Sequence, residues 1–151
     1  MAYIEESTGA DDRGCIFCDK PAAGDDEANL IVVRSERAFV MLNAFPYNPG
    51  HLLIAPFRHV ADLEDLDPDE AADASELLQR GVRALKSVSG PDGFNIGMNL
   101  GRVAGAGVPG HLHWHVVPRW NGDTNYMATV GETRVLPESL EDTYAKLKPH
   151  L

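Results

Sequence analysis

The chain has 151 residues, 44% of them hydrophobic, with 23 acidic against 13 basic side chains and a formal net charge of −10. That length suits one domain with a substantial core, and so few cations argue against sequence-independent nucleic-acid binding, which needs a basic footprint. A small anionic ligand stays allowed, because a local pocket can oppose the global sign. No stretch reaches about 18 consecutive apolar residues, so no membrane-spanning helix is expected. The acidic start MAYIEESTGADDRG does not resemble a signal peptide. Two cysteines, Cys15 and Cys18, cannot build a disulfide scaffold, and the chain reads as cytoplasmic, with no membrane partner.

Residues 1–14 read as a polar, flexible arm ahead of one domain over 15–151. PAAGDDEAN (21–29) has the composition of a loop. LIVV (30–33) and RAFVMLNAF (37–45) are rich in apolar and β-branched residues, and the intervening SE suggests a hairpin. After the turn cluster PYNPG (46–50), HLLIAPF (51–57) reads as a third strand. Over 65–88 the pattern switches to helical periodicity, with Leu77, Leu78, Val82, Leu85 and Val88 near one face. Asp67 as N-cap, Pro68 at the first helical position and Glu70 three residues after the cap form its start signal. SGPDG ends it, and FNIGMNL (94–100) and HLHWHVVPRW (111–120) suit two further strands, separated by the glycine-rich GRVAGAGVPG. A short helix over 138–151, started near Pro137, closes the chain. The order β-β-β-α-β-β-α points to an α+β fold with a mainly antiparallel sheet of about five strands.

HLHWHVV puts His111, His113 and His115 at every second position. On a strand those three share one face, with about 7 Å between neighbours, while Leu112, Trp114 and Val116 face the core. Such a row serves a metal, which takes imidazole ligands, or nucleophilic and acid–base catalysis, in which neutral imidazole attacks and a neighbour moves protons. An exposed row without a role is the plain alternative. The glycine-rich turn before it can present backbone N–H groups to a phosphate, and Arg119 follows it. CIFC by itself is compatible with a redox pair, a metal site or inert thiols.

The triad HLHWHVV, together with NAFPYNPGHLLIAPFRHV (43–60), the NLG segment and HVVPRW followed by GDTN (122–125), resembles the histidine triad (HIT) nucleotide hydrolases and transferases. Within them it is most similar to the diadenosine tetraphosphate (Ap4A) phosphorylase-like branch. The resemblance covers roughly residues 15–148 and implies a HIT-like fold with a long central helix. It implies cleavage of a nucleotide at its α-phosphate: His113 attacks, His115 steadies or protonates the leaving group, and His51 completes the catalytic set. It places Asn43 at the ribose, Asn99 near the scissile phosphate, and Phe17 and Met41 around the base, although Phe17 and Met41 also read as plain core and both asparagines as turn or strand-end residues. Gly107 stands near the place where many members carry a hydroxyl, so backbone N–H groups would replace that hydroxyl. Arg119 would add positive potential, as would magnesium carried in by a polyphosphate. The resemblance further implies a homodimer and a structural zinc held by Cys15, Cys18, His59 and His111. Substrates on this reading are dinucleoside polyphosphates, cleaved by phosphorolysis or hydrolysis. The alternatives are a nucleoside phosphoramidate or AMP-conjugate hydrolase, and a zinc-stabilised nucleotide-binding module without turnover.

Overall fold

A computed structural model of the chain describes residues 14–123 and 138–151. Residues 1–13 of the expected arm, Thr124 and Asn125 of the GDTN segment and Pro137 lie outside the described residues. The elements are α1 (Ile16–Ala22), β1 (Ile31–Arg34), β2 (Ala38–Leu42), β3 (Leu52–Pro56), α2 (Pro68–Ser89), β4 (Gly93–Gly97), β5 (Trp114–Arg119) and α3 (Leu140–Leu147). The five strands form one antiparallel sheet in the order β1-β2-β3-β5-β4. Among the described residues, the last strand, β5, thus lies inside the sheet and β4 at its edge.

Every residue of β2 and β3 is buried, because both faces of the sheet are covered. On one face Val40, Leu42, Leu52, Ile54 and Val116 pack against Ala74, Leu77, Ala84 and Leu85 of α2 and Leu147 of α3. On the other, Phe39, Met41, Leu53 and Ala55 meet Cys15 and Phe17 at the start of the described chain, with Val108. Complete burial of a Leu or Phe side chain contributes about 2 kcal/mol, so these two layers carry much of the folding energy.

Helix α2 begins as expected, one residue past Asp67, with Pro68 at its first position. Glu70 Oε1 accepts the Asp67 N–H at 2.9 Å, and the same carboxylate takes the Arg58 guanidinium at 2.6 Å. Gly90 ends the helix in a left-handed conformation that glycine adopts without steric cost. Helix α3 starts at Ser139, whose hydroxyl accepts the Asp142 N–H at 3.1 Å.

Three expectations are corrected. Helix α1 was not foreseen: the segment is short, and Pro21 in its last turn made 21–29 read as loop throughout. β4 stops at Gly97, short of Leu100. β5 begins at Trp114, because ladder pairing with β3 starts only at Ile54↔Trp114. Just before it, the Leu112 N–H bonds to the Val60 carbonyl at 2.7 Å instead.

One glycine of the 46–50 turn joins the layers. Gly50 has φ +91°, and a Cβ there would sit 2.8 Å from Leu85 Cδ2. We expect Gly50→Ala to cost about 2–3 kcal/mol, from the unfavourable φ and from overpacking against α2. Urea denaturation checks this, and an unchanged midpoint would mean that α2 yields freely at Leu85.

Candidate active site and metal centre

The histidines separate into two groups because the chain bends at the start of β5. His111 lies before the strand and is fully buried. Helix α1 carries Cys15 at its N-cap and Cys18 one turn later, so both thiols face His111. Cys15 Sγ is 3.3 Å and Cys18 Sγ 3.5 Å from His111 Nδ1, and Cys18 Sγ is 3.4 Å from His59 Nδ1. The ligand atoms of all four residues lie within 4.8 Å of one another. Around a tetrahedral zinc, Zn–S of about 2.3 Å and Zn–N of about 2.05 Å separate sulfur from nitrogen by about 3.5 Å. His111 Nε2 donates to the Pro56 carbonyl at 2.8 Å, which leaves Nδ1 its lone pair for a metal. The residues expected to bind a metal therefore form a closed Cys2His2 group with the dimensions of a zinc site.

The second group surrounds the 46–50 turn and β5. His113 Nδ1 donates to the His111 carbonyl at 3.0 Å, so its Nε2 carries a lone pair. The His113 ring stacks on Phe17 with centroids 4.6 Å apart and meets His115 edge-on at 5.0 Å. The neighbouring pair is ordered by its partners. His51 Nδ1 accepts the Tyr47 backbone N–H at 3.1 Å, and the Asn43 amide lies 3.5 Å from the same atom. With Nδ1 accepting, the His51 proton sits on Nε2 and is donated to His115 Nδ1 at 2.9 Å. His115 must then hold its own proton on Nε2. The site thus pairs a bare nitrogen on His113 with an N–H donor on His115.

Burial keeps these rings neutral. It pushes His51 down to about 4, with the positive forms of His115 and His113 adding to the effect, and it lowers His115 too. His113 is only 3% exposed and is likewise held at about 4, mainly by burial. A depressed folded-state pKa means that the unfolded chain binds more protons between about 4 and 6.5. Stability present above pH 6.5 is therefore lost as pH falls through that window. His51 alone is expected to account for about 2 kcal/mol by pH 5. Urea unfolding of wild type and His51→Asn at pH 7.5 and 5 checks it, since the variant should lose less stability on acidification. Equal losses in both would count against a buried neutral His51.

A cleft of about 410 Å³ opens over His51 and His115, lined also by Tyr47, Asn95, Ile96, Met98, Asn99 and Val117; His113 is not part of its lining. Asn99 lies on the wall of that cleft, and its amide donates to the Gly105 carbonyl at 3.4 Å. A second hollow of about 340 Å³ lies across Tyr47 and His51, with Asn43 in its lining. The Asn43 Oδ1 accepts the Phe45 N–H at 2.9 Å, which orients its amide toward His51.

Other positions have fewer roles open to them. Phe17 and Met41 are 0% and 1% exposed and take the core alternative: Phe17 stacks on His113, and neither residue lines either cavity. Arg119 follows the rail, but its guanidinium is committed to Asp123 at 3.0 Å and to Asn95 Oδ1 at 2.7 Å, which cancels its charge locally. In the glycine-rich turn, the N–H groups of Ala104, Gly105 and Ala106 bond back to carbonyls of Gly101 and Arg102 and do not point outward. Gly107 is half-buried at the end of that turn. Sequence reasoning missed Tyr47, whose backbone N–H sets the His51 tautomer, and Asp123, whose carboxylate is buried. The turn composition PYNPG was a visible signal of the first, but nothing in GDTN separates a buried aspartate from a surface one.

The HIT domain profile matches residues 26–122. The chain belongs to the HIT family. It is 48% identical over 118 residues to an AP-4-A phosphorylase of Mycobacterium tuberculosis, a match covering 78% of this chain and 60% of that protein. The chain thus spans well under two thirds of that relative's length. A fission yeast adenosine 5'-monophosphoramidase, from Schizosaccharomyces pombe, is 31% identical over 71% of this chain and 75% of its own. Among solved structures, a Zn-bound histidine triad family protein from Mycobacterium smegmatis superposes with a TM-score of 0.74 at 30% identity, covering 93% of this chain and 94% of that one. The α+β HIT fold is therefore established, and the Cys2His2 group of this chain has a zinc-bound family member beside it. Among the described residues no helix is long and apolar enough to cross a membrane.

Proposed function

We propose that this HIT protein is a cytoplasmic enzyme cleaving dinucleoside polyphosphates of the Ap4A type at the α-phosphate through a nucleotidyl-His113 intermediate. The observation that carries the reading is the pairing of a neutral His113 with its Nε2 lone pair available and a His115 with its Nε2 proton in place. In the first step His113 Nε2 attacks the α-phosphorus, the N–P bond forms and the P–O bond to the polyphosphate leaving group breaks. His115 Nε2–H supplies the hydrogen bond or proton to the departing oxygen. In the second step inorganic phosphate displaces the imidazole, so that Ap4A and phosphate give ADP and ATP; water in its place gives AMP and ATP. The relative named AP-4-A phosphorylase supports phosphorolysis ahead of hydrolysis. On this reading Asn43 would bind the ribose, Asn99 the phosphate, and Gly107 would form part of the phosphate wall.

Cys15, Cys18, His59 and His111 would hold a structural zinc, fastening the start of the domain, which we read as residues 15–151, to the base of β5. The ion would supply no chemistry beyond that anchoring, because a closed four-ligand site has no open position. Magnesium accompanying the polyphosphate would offset the net charge of −10 as substrate approaches. By family resemblance the active form is a homodimer.

The deciding experiment is product analysis and intact-protein mass spectrometry with Ap4A, with and without phosphate. Phosphate-dependent ADP and ATP, together with an AMP-sized adduct, is the expected result. AMP and ATP formed without phosphate would make the protein a hydrolase. The identity to an adenosine 5'-monophosphoramidase favours a second substrate class, and turnover of adenosine phosphoramidate with Ap4A inert would establish it. No adduct and no product from either substrate would replace the enzyme reading with a zinc-stabilised nucleotide-binding module.

A further inference from the structure

Asp123 lies beyond the histidine rail, yet its carboxylate is among the most heavily bonded groups of the described chain. Its Oδ2 accepts from Asn48 Nδ2 at 2.7 Å, Arg119 Nε at 3.0 Å and the Trp120 N–H at 3.0 Å, and its Oδ1 accepts from Arg119 Nη2 at 3.0 Å. The side chain is 7% exposed. Those bonds, the guanidinium first, hold its pKa at about 2, so it is ionised throughout the useful pH range. A carboxylate this enclosed orders whatever it grips, and what it grips is the turn that carries Tyr47.

The path from Asp123 to the reacting groups is short. The Asn48 amide spends one hydrogen on Asp123 and the other on the Pro118 carbonyl at 2.9 Å, so the turn is clamped to the end of β5. The backbone carbonyl of Asn48 accepts the His51 N–H at 3.1 Å, and the adjoining Tyr47 N–H donates to His51 Nδ1. The Tyr47 N–H is the nearer of the two donors facing His51 Nδ1, with the Asn43 amide at 3.5 Å, and while it is in place His51 must keep its proton on Nε2 and donate it to His115 Nδ1. If the turn relaxes, His51 is free to carry its proton on Nδ1. His115 then has to donate from its own Nδ1, and the nitrogen facing the cleft becomes a bare acceptor. The second ring nitrogen of a histidine is governed by the partner of the first, and here that dependence runs through two rings in series.

We propose that Asp123, acting through Asn48, is a positioning residue that fixes the tautomers of His51 and His115 and so keeps a proton donor aimed at the leaving group. The inference rests on the function proposed above for what His115 does with its proton. The tautomers themselves are readable without any substrate.

The test is long-range ¹H–¹⁵N correlation of the imidazole rings at neutral pH in the full chain, for wild type, Asp123→Asn and Asn48→Ala. Wild type should show Nε2–H for both His51 and His115. Both variants should show the two tautomers mixed at these rings, while His113, bonded to the His111 carbonyl, stays Nδ1–H. In turnover, kcat should fall about 10- to 100-fold with KM changed less than about 3-fold, the split expected when a group acting only in the transition state is misdirected. Asn48→Ala leaves the Arg119–Asp123 pair intact, and it decides the matter if Asp123→Asn does not fold. Wild-type tautomers retained in a folded variant, or His115 found as Nδ1–H in wild type, would overturn the inference. If the rings behave as stated and Ap4A is not turned over, the positioning role stands and the substrate reading is what fails.

Discussion

His113→Ala is expected to abolish both the nucleotidyl adduct and turnover, with kcat/KM falling at least about 10⁴-fold. Among the three histidines His51, His113 and His115, only His113 keeps a neutral nitrogen lone pair on a ring locked from behind: His51 and His115 spend their Nδ1 lone pairs on hydrogen bonds. Removing a nucleophile closes the covalent route and leaves only the orientation and electrostatic help of the remaining site. The ring is also packed, against Phe17 at 4.6 Å, so the alanine leaves a cavity. A stability loss of about 1–3 kcal/mol accompanies it. His113→Asn separates the two effects, because its amide can still donate to the His111 carbonyl and fill part of the space. It should recover stability and recover no activity. Substantial adduct in either variant would move the nucleophile elsewhere, and His115 would be examined next.

Stripping zinc from the proposed Cys2His2 site, or replacing one of its thiols, is expected to lower the thermal midpoint by roughly 10 °C or more. Cys15 is buried among Phe17, Phe39, Met41 and Leu53, and the ligands come from three separated places: α1, the segment after β3, and the start of β5. An ion bound there cross-links these segments, and its binding free energy becomes folding free energy. At 151 residues each kcal/mol moves the midpoint by about 2–4 °C, so a loss of about 4 kcal/mol suffices for the predicted shift. Elemental analysis should find one zinc per chain in wild type and none in Cys18→Ser. Activity should fall with the metal as well, since the His111 carbonyl holds His113 Nδ1. A metal-free protein with an unchanged midpoint would reduce CIFC to a pair of inert thiols.

Much of this was legible from residue order. Alternation in HLHWHVV put Leu112 and Val116 in the core and His113 and His115 on the opposite face, as the structure has them. The capping signal at Asp67, Pro68 and Glu70 located the start of the long helix. The four metal-binding candidates, separated by up to 96 residues in sequence, do converge. The resemblance, not the spacing, brought His59 into that set. Other features resisted reading because they depend on partners far along the chain. Arg119 looked like a cation for phosphate, and Asp123, four residues later, takes its charge. Phe17 and Met41 had two readings, base contacts or plain core, and the layer they share with Phe39 and Leu53 buries both.

The division has a physical basis. Periodicity and capping are short-range, so the sequence by itself determined the element types of all but the short α1, the faces they bury and the clustering of imidazoles. Which imidazole nitrogen carries a proton, which arginine remains charged toward solvent and where a strand begins to pair are settled by hydrogen bonds between distant segments. The Tyr47 N–H on His51, Asp123 on Asn48 and the pairing of Ile54 with Trp114 exist only once the sheet has closed with β5 inside it. Tertiary structure therefore gathered His111 with the thiols, as the resemblance implied, and fixed which ring nitrogen of His113 holds the lone pair and which of His115 the proton.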